Sequence, residues 1–274
     1  MPITFLFLLH RMLDSIWIES LRYFAGAAGV ALLCWLLARR IADRRIQTRR
    51  ATGADRLREV RQSMWAMAVF AVVDLITVVL IAIGAIAFNQ GQPVLATIVW
   101  QTIALIVMHD AYFYWMHRTM HHRTMFRAFH SVHHLSRTPT SWAAYSFATG
   151  EAAFEALIVP LMVAAVTFVA PAEPWAVFIF LGHQIARNAF GHAGFELAWP
   201  GFTRSPWTGW LTTTVHHDLH HSEGRYNFGL YFTWWDRWLG TEHPRYHERF
   251  AAVVNRRRET AGQGGEPVHG AAQS

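Results

Sequence analysis

Lysine is missing from this chain of 274 residues, and all 24 of its basic residues are arginine. Cysteine is nearly missing too. Cys34 stands alone within an apolar run, so no internal disulfide and no thiolate metal site can form. It reads as a small packing hydrophobe. Charge is scarce, at 15% of residues against 53% hydrophobic, a balance more apolar than that of water-soluble domains. The net charge of +6 comes with no nucleic-acid-binding motif, so nucleic acid is not an expected partner. The chain carries no Gly-x-Gly-x-x-Gly dinucleotide fingerprint. No small-residue cleavage site follows the apolar stretch Phe5–Leu9. That stretch is therefore not read as a signal peptide but as a segment lying at a membrane surface.

Long apolar runs are what the chain has instead. A membrane-spanning helix needs roughly 20 mostly apolar residues. Candidate runs extend from about Tyr23 to Ala38, Ala66 to Phe88, Pro93 to Met116, Ala152 to Val169 and Trp175 to Ala189. Pro171-Ala172-Glu173-Pro174 joins the last two by a tight turn, which makes them a helical hairpin. The expected fold is all-α, a polytopic transmembrane helical bundle of about 4–5 spans with a histidine-rich helical cap. Arginine sets the orientation. Arg39, Arg40, Arg44, Arg45, Arg49, Arg50, Arg56, Arg58 and Arg61 directly follow the first span, and such clusters mark the cytoplasmic side. Counting spans from there puts every histidine-rich segment on the same, cytoplasmic face. The many tryptophans near these segments (Trp142, Trp199, Trp207, Trp210, Trp234, Trp235, Trp238) fit an interfacial aromatic belt.

The 17 histidines are patterned. His117 and His121 are four apart, His130, His133 and His134 have offsets of three and four, and His217, His220 and His221 repeat those offsets. Residues three and four apart share a helix face, so each cluster is expected to aim its ring nitrogens at one point. Eight imidazoles are too many for one structural zinc with its four ligands and suit a pair of ions. Magnesium and calcium prefer oxygen ligands and fit poorly. Iron, zinc, copper and nickel all accept imidazole, and spacing alone does not choose among them. His122 and His216 adjoin the boxes and would ligate on a change of register. His109 is expected to hydrogen-bond within the bundle, His183 to be a helix histidine, and His10, His243, His247 and His269 to be surface or tail residues.

A ligating imidazole donates its other N–H to a carboxylate, carbonyl or water, which fixes the ring. Asp110, Asp218, Glu196 and Glu151 are near enough in sequence for this, and Glu151 is equally suited to the start of a helix. Asp236 and Arg237 are expected to pair and pin the C-terminal segment.

The ordered set of boxes resembles the fatty acid hydroxylase/sterol desaturase superfamily, whose members are integral-membrane histidine-box oxygenases. The resemblance covers His109 to Thr241. It rests on Asp110 with Tyr114-Trp115-Met-His117-Arg118-Thr-Met-His121-His122, then His130-Ser-Val-His133-His134, and His217-Asp218-Leu-His220-His221. Tyr226-Asn227-Phe-Gly229 and Trp235-Asp236-Arg237 through Gly240-Thr241 follow. The family pattern has further ligands between the second and third boxes, and Asn188-Ala-Phe-Gly-His192 fills that place. The resemblance thus adds His192 and Asn188 to the eight spaced histidines as metal ligands. It also implies two iron ions, dioxygen as co-substrate, and hydroxylation or desaturation of a C–H bond in a lipid such as a fatty acyl chain or sterol. A carotenoid or alkylglycerol substrate is the alternative within the family, and a membrane metal- or haem-binding protein without oxygenase activity is the alternative outside it. Two electrons per turnover would come from NAD(P)H through a separate carrier, a ferredoxin or small haem protein. Residues 1–92 are then an N-terminal transmembrane region with an Arg-rich cytoplasmic loop, 93–254 a fatty acid hydroxylase-like catalytic domain, and 255–274, rich in Gly, Gln and Arg, a disordered tail.

Overall fold

The structure is a computed structural model that describes residues 4–263. Its described part is all-helical, with isolated bridges in place of strands. Helix α1 (Phe5–Leu36) starts where the Thr4 hydroxyl accepts the Phe7 N–H at 3.2 Å. A short α2 (Ala38–Ile41) leads into the Arg-rich segment. A reciprocal capping box of Thr52 and Asp55 then opens α3 (Gly53–Ala82). Helix α4 (Leu95–Met120) is followed by the single turn α5 (Phe126–Phe129). α6 (Thr149–Thr167) and α7 (Pro174–Gly191) form the expected hairpin, with Pro174 at the start of α7 where its missing N–H costs nothing. α8 (Thr214–Glu223), α9 (Trp234–Trp238) and α10 (Tyr246–Gln263) complete the chain.

Four helices, α1, α3, α4 and α6, are long and apolar enough to cross a membrane. Their outward faces carry unpartnered large side chains such as Trp17, Leu21, Val72, Leu95 and Ile103, which suits a hydrocarbon surrounding. The fifth expected span forms as α7, but it carries His183, Gln184, Arg187 and Asn188 and is not among those four. Inside the bundle, α1, α3 and α7 close on Tyr23, Ala27, Ala66, Met67 and Tyr145. Leu105, Met162, Val166 and Phe180 fill the space between α4, α6 and α7. Helices α8 and α10 pack through Val215, Leu219, Tyr246 and Phe250.

Helix boundaries depart from the hydropathy runs for physical reasons. α1 begins at Phe5, not near Tyr23, so Phe5–Leu9 is its first turn and no separate surface segment. His10, Arg11, Asp14, Glu19 and Arg22 dilute the hydropathy there without breaking a helix. α3 starts at Gly53, so Arg56, Arg58 and Arg61 ride on its first turns. Past Asn255, where composition suggests a disordered tail, α10 continues to Gln263 because Tyr246, Phe250, Val253 and Val254 lay an apolar stripe against α8. Residues 264–274 lie outside the described part.

Candidate metal centre

The C-terminal ends of α4 and α7 and the N-terminal end of α6 meet under the segments that follow them. His117 sits on the last turn of α4, His121 just after it, and His192 just after α7. The turns after α5 bring His130, His133 and His134, and α8 brings His217, His220 and His221. These rings sort into two groups. His117, His121, His130, His134 and His220 form one, and His133, His192, His217 and His221 the other, with the ligand atoms of each group within 4.8 Å of one another. All nine expected histidines are in one group or the other. Members four apart in a box stay together, and the remaining member of the second and third boxes, His133 or His220, turns to the other group. The expectation that each box serves one point is thus corrected: two boxes serve both groups. On α8 the reason is rotational, since four residues return to within about 40° and three fall about 60° short.

Hydrogen bonds fix which nitrogen is bare. His117 Nδ1–H donates to the Phe228 carbonyl at 2.9 Å, His220 Nδ1–H to the Tyr226 carbonyl at 2.8 Å, and His192 Nδ1–H to the Asn188 carbonyl at 2.7 Å. His133 does the same to the Ser146 carbonyl at 3.3 Å, and His130 to Glu151 Oε1 at 2.7 Å. Carbonyl oxygen only accepts, so in His117, His133, His192 and His220 the proton is on Nδ1 and Nε2 carries a lone pair, and His130 takes the same form where Glu151 is ionised. Yet the Nε2 atoms of His117 and His130 are 3.0 Å apart, and those of His192 and His133 3.3 Å. Such pairs are two acceptors facing each other with no hydrogen between them. Two imidazole nitrogens bound to one ion at about 2.0–2.1 Å, at roughly tetrahedral to right-angled geometry, stand about 2.8–3.4 Å apart. Other close pairs, among them His121–His220 at 3.1 Å, His134–His220 at 3.2 Å and His217–His192 at 3.0 Å, match that spacing. The donor set therefore fits a pair of imidazole-loving ions.

Protonation does not compete near neutral pH. Burial, which starves the charged form of water, pushes His134 and His192 down to about 4 and His121 to about 2. Burial and the charge of neighbouring rings hold His130, His133, His217, His220 and His221 well below the ordinary imidazole value.

Residues 102–241 match the family model described as fatty acid hydroxylase. The chain belongs to the fatty acid hydroxylase family. It is similar to cholesterol 25-hydroxylase of Mus musculus, with 29% identity over 155 residues, 56% of this chain and 50% of that protein. It is similar to lathosterol oxidase of Rattus norvegicus at 28% over 155 residues (55% and 48%). A methylsterol monooxygenase of Aspergillus fumigatus is 27% identical over 171 residues (61% and 54%). The chain spans about half the length of the curated relatives it matches. No solved structure matches it. Every histidine of the two groups lies inside the fatty acid hydroxylase match, whereas α1, α2 and α3 precede it.

The carboxylates of this fatty acid hydroxylase family chain take roles that differ from expectation. Of the four expected carboxylates, Glu151, on the first turn of α6, is the one that reaches a grouped imidazole, His130. Asp110 instead accepts the Tyr231 and Phe232 N–H groups at 2.8 and 3.2 Å. Asp218 accepts from Gln47 Nε2 at 2.7 Å, and burial raises it to about 6. Glu196 takes the Ala198 N–H and, at 2.9 Å, the Val215 N–H, one of the donors that the first turn of α8 leaves unpaired. All three secure the scaffold around the rings. Asn188 Nδ2 donates to the Ala144 carbonyl at 2.7 Å.

Sequence reasoning missed the most direct braces, the backbone carbonyls of Tyr226 and Phe228. The trailing motifs explain how those carbonyls are held. Asp236 accepts the Phe228 and Gly229 N–H groups, both at 2.9 Å, and the Thr241 hydroxyl at 2.8 Å. Asn227, at φ 59°, donates to the His216 carbonyl and accepts the His243 N–H. Gly229 is required because a Cβ there would lie 2.5 Å from the Phe232 carbonyl oxygen. Asp236 thus braces a loop, and Arg237 pairs with Glu242 at 2.9 Å, so the two do not form the expected pair with each other. His122, bonded to Thr124, and His216, 3.4 Å from Asp236, lie outside both groups. His243, expected at the surface, is buried and 3.1 Å from Glu223. His269 lies outside the described residues.

Proposed function

We propose that this chain is an integral-membrane oxidoreductase that spends dioxygen and two electrons on hydroxylating or desaturating a C–H bond of a lipid. What carries the reading is the pair of imidazole groups whose bare Nε2 atoms face one another at the spacing of metal ligands. His117, His121, His130, His134 and His220 would hold one iron ion, and His133, His192, His217 and His221 the other. The Asn188 amide nitrogen is committed to Ala144, which leaves its oxygen as the atom for an ion. Bound iron would supply the oxidant that an unactivated C–H bond needs and that no acid–base pair provides. The similar proteins named above act on sterols, which favours a sterol or sterol-like lipid over a plain acyl chain as the substrate.

The chain's own side chains do the rest. The Nδ1–H bonds lock each ring with Nε2 inward, and Glu151 makes His130 a stronger donor of its lone pair. Burial of the rings keeps bulk water from the reacting carbon. Residues 93–254 form the catalytic unit on this reading, with residues 1–92 as the membrane region before it. The arginines between Arg39 and Arg61 support a cytoplasmic position for the cap. There they would dock an acidic ferredoxin or small haem protein that relays electrons from NAD(P)H. Raising salt should then slow reduction of the protein in stopped-flow, whereas a salt-independent rate rejects that docking.

The decisive experiment joins metal analysis to product analysis. Iron near two ions per chain is expected, together with oxygen-18 in a lipid alcohol or a new double bond in the lipid. Iron-loaded, reduced protein that leaves every tested sterol and acyl lipid unchanged overturns the proposal.

A further inference from the structure

A cavity of about 160 Å³ lies inside the bundle between α1, α3, α6 and α7. Its wall is unusual for a lipid-embedded site, because Glu19, Arg22, Asp74 and Glu155 line it together with Gln184 and Asn188. Ionisable groups at such depth are costly and mark functional sites unless fully paired. Arg22 is paired. It reaches Glu19 at 2.8 Å, the Tyr145 hydroxyl at 2.8 and 3.2 Å, and Gln184 Oε1 at 3.5 Å. Glu155 is not paired: it is 6% exposed, and its Oε1 is buried with no hydrogen-bond partner. A buried acceptor without a donor costs on the order of 1–3 kcal/mol or more, so a ligand that donates there gains correspondingly.

Three features join the cavity to the imidazole groups. Glu155 is one turn along α6 from Glu151, which holds His130. Asn188 is one turn before His192 on α7. Phe147, also on the cavity wall, has its ring 5.4 Å from that of His133. The lining chemistry selects the head group. Arg22 is already bound by Glu19 and Arg11 lies 3.5 Å from Asp14, so the wall offers no unpaired cation to a carboxylate or phosphate head. A hydroxyl can donate to Glu155 and accept from the Gln184 amide at once. The volume admits a head group and the atoms next to it, not a whole lipid.

We infer that this cavity binds the hydroxyl group of a lipid alcohol, with Glu155 as the acceptor of its hydrogen bond. That the bound alcohol is also the substrate rests on the proposed oxygenase reading. In that case the carbons oxidised lie about one or two helical turns from the hydroxyl, on the side of the imidazole groups.

The test reads binding alone. The full chain, chelator-treated and in lipid nanodiscs without reductant, is labelled with a photoreactive diazirine analogue of cholesterol, and the labelled peptides are mapped. Saturable labelling of α1 or α6 is expected, displaced by cholesterol or hexadecanol and about tenfold less by cholestane, which lacks the hydroxyl. Glu155→Leu should weaken labelling about tenfold, and Glu155→Gln less, since its amide oxygen still accepts. Equal competition by cholestane and cholesterol overturns the inference and needs no variant. So does stronger competition by hexadecanoate, or wild-type labelling of a folded Glu155→Leu protein. Alcohol binding without lipid oxidation under any condition would sink the oxygenase reading and leave this site standing.

Discussion

The five-imidazole group and the four-imidazole group draw on the same boxes but are braced unequally. In the first, His117 and His220 are tied to loop carbonyls and His130 to the Glu151 carboxyl group. In the second, His192 and His133 have carbonyl braces, but the buried Nδ1 of His221 has no partner. The second group also adjoins Asn188 and Phe147, which line the cavity within the bundle. A metal centre that must both persist and admit reactants gains from such a division. One group has a carboxyl brace but leaves His121 and His134 half-buried, and the other is fully buried with fewer braces, on the side of the cavity within the bundle.

Substitution of ligands breaks the comparison most severely. His130→Ala and His133→Ala should each lower lipid oxidation below detection while the protein still inserts in the membrane. Metal analysis should show each variant losing the ion of its own group. Loss of both ions from both variants would mean that the groups fold as one site. Glu151→Gln comes next and sharpens the contrast. It should weaken metal retention by about 10–100-fold in the five-imidazole group alone, read by chelator competition. Equal loosening of both ions would remove the distinction. Gly229→Ala places a Cβ against the Phe232 carbonyl oxygen and disturbs the loop that presents the Phe228 carbonyl to His117. Thermal unfolding should register a loss of about 1–3 kcal/mol. An unchanged midpoint would show that the loop adapts. Asn188→Leu should have the smallest effect, about 1 kcal/mol from the lost bond to Ala144, with the ion of the four-imidazole group held less tightly but not lost. Iron loss as complete as in His133→Ala would instead make the Asn188 oxygen a full ligand.

Periodicity and hydropathy made much of this legible from residues alone. Runs of apolar side chains located the helices that cross, and offsets of three and four located eight of the nine grouped histidines. His192 came from resemblance, since a lone histidine at a helix end has no spacing to announce it. Two kinds of information were out of reach. Partition of the second box depends on backbone direction at His133, which lies in a short irregular turn that no helical offset encodes. Bracing depends on groups distant along the chain, such as the Phe228 carbonyl for His117, or on backbone atoms that every residue possesses. Asp110 shows the same limit. It lies two turns before His117 on α4, yet its partners are the amides of Tyr231 and Phe232. The early start of α1 was obscured because Arg11, Glu19 and Arg22, which line a cavity, and the exposed His10 and half-buried Asp14 lower the average that a hydropathy window sees.

His133 and His134 are consecutive, as are His220 and His221, and in each case the two neighbours belong to different groups. The groups are consequently stitched at two places by single peptide links. Bilayers that thicken, thin or bend can tilt long helices against each other, but they cannot stretch a covalent backbone. Spacing inside such a stitched core should be the same in stiff, sterol-rich membranes and in fluid ones, while the surrounding helices adjust to each.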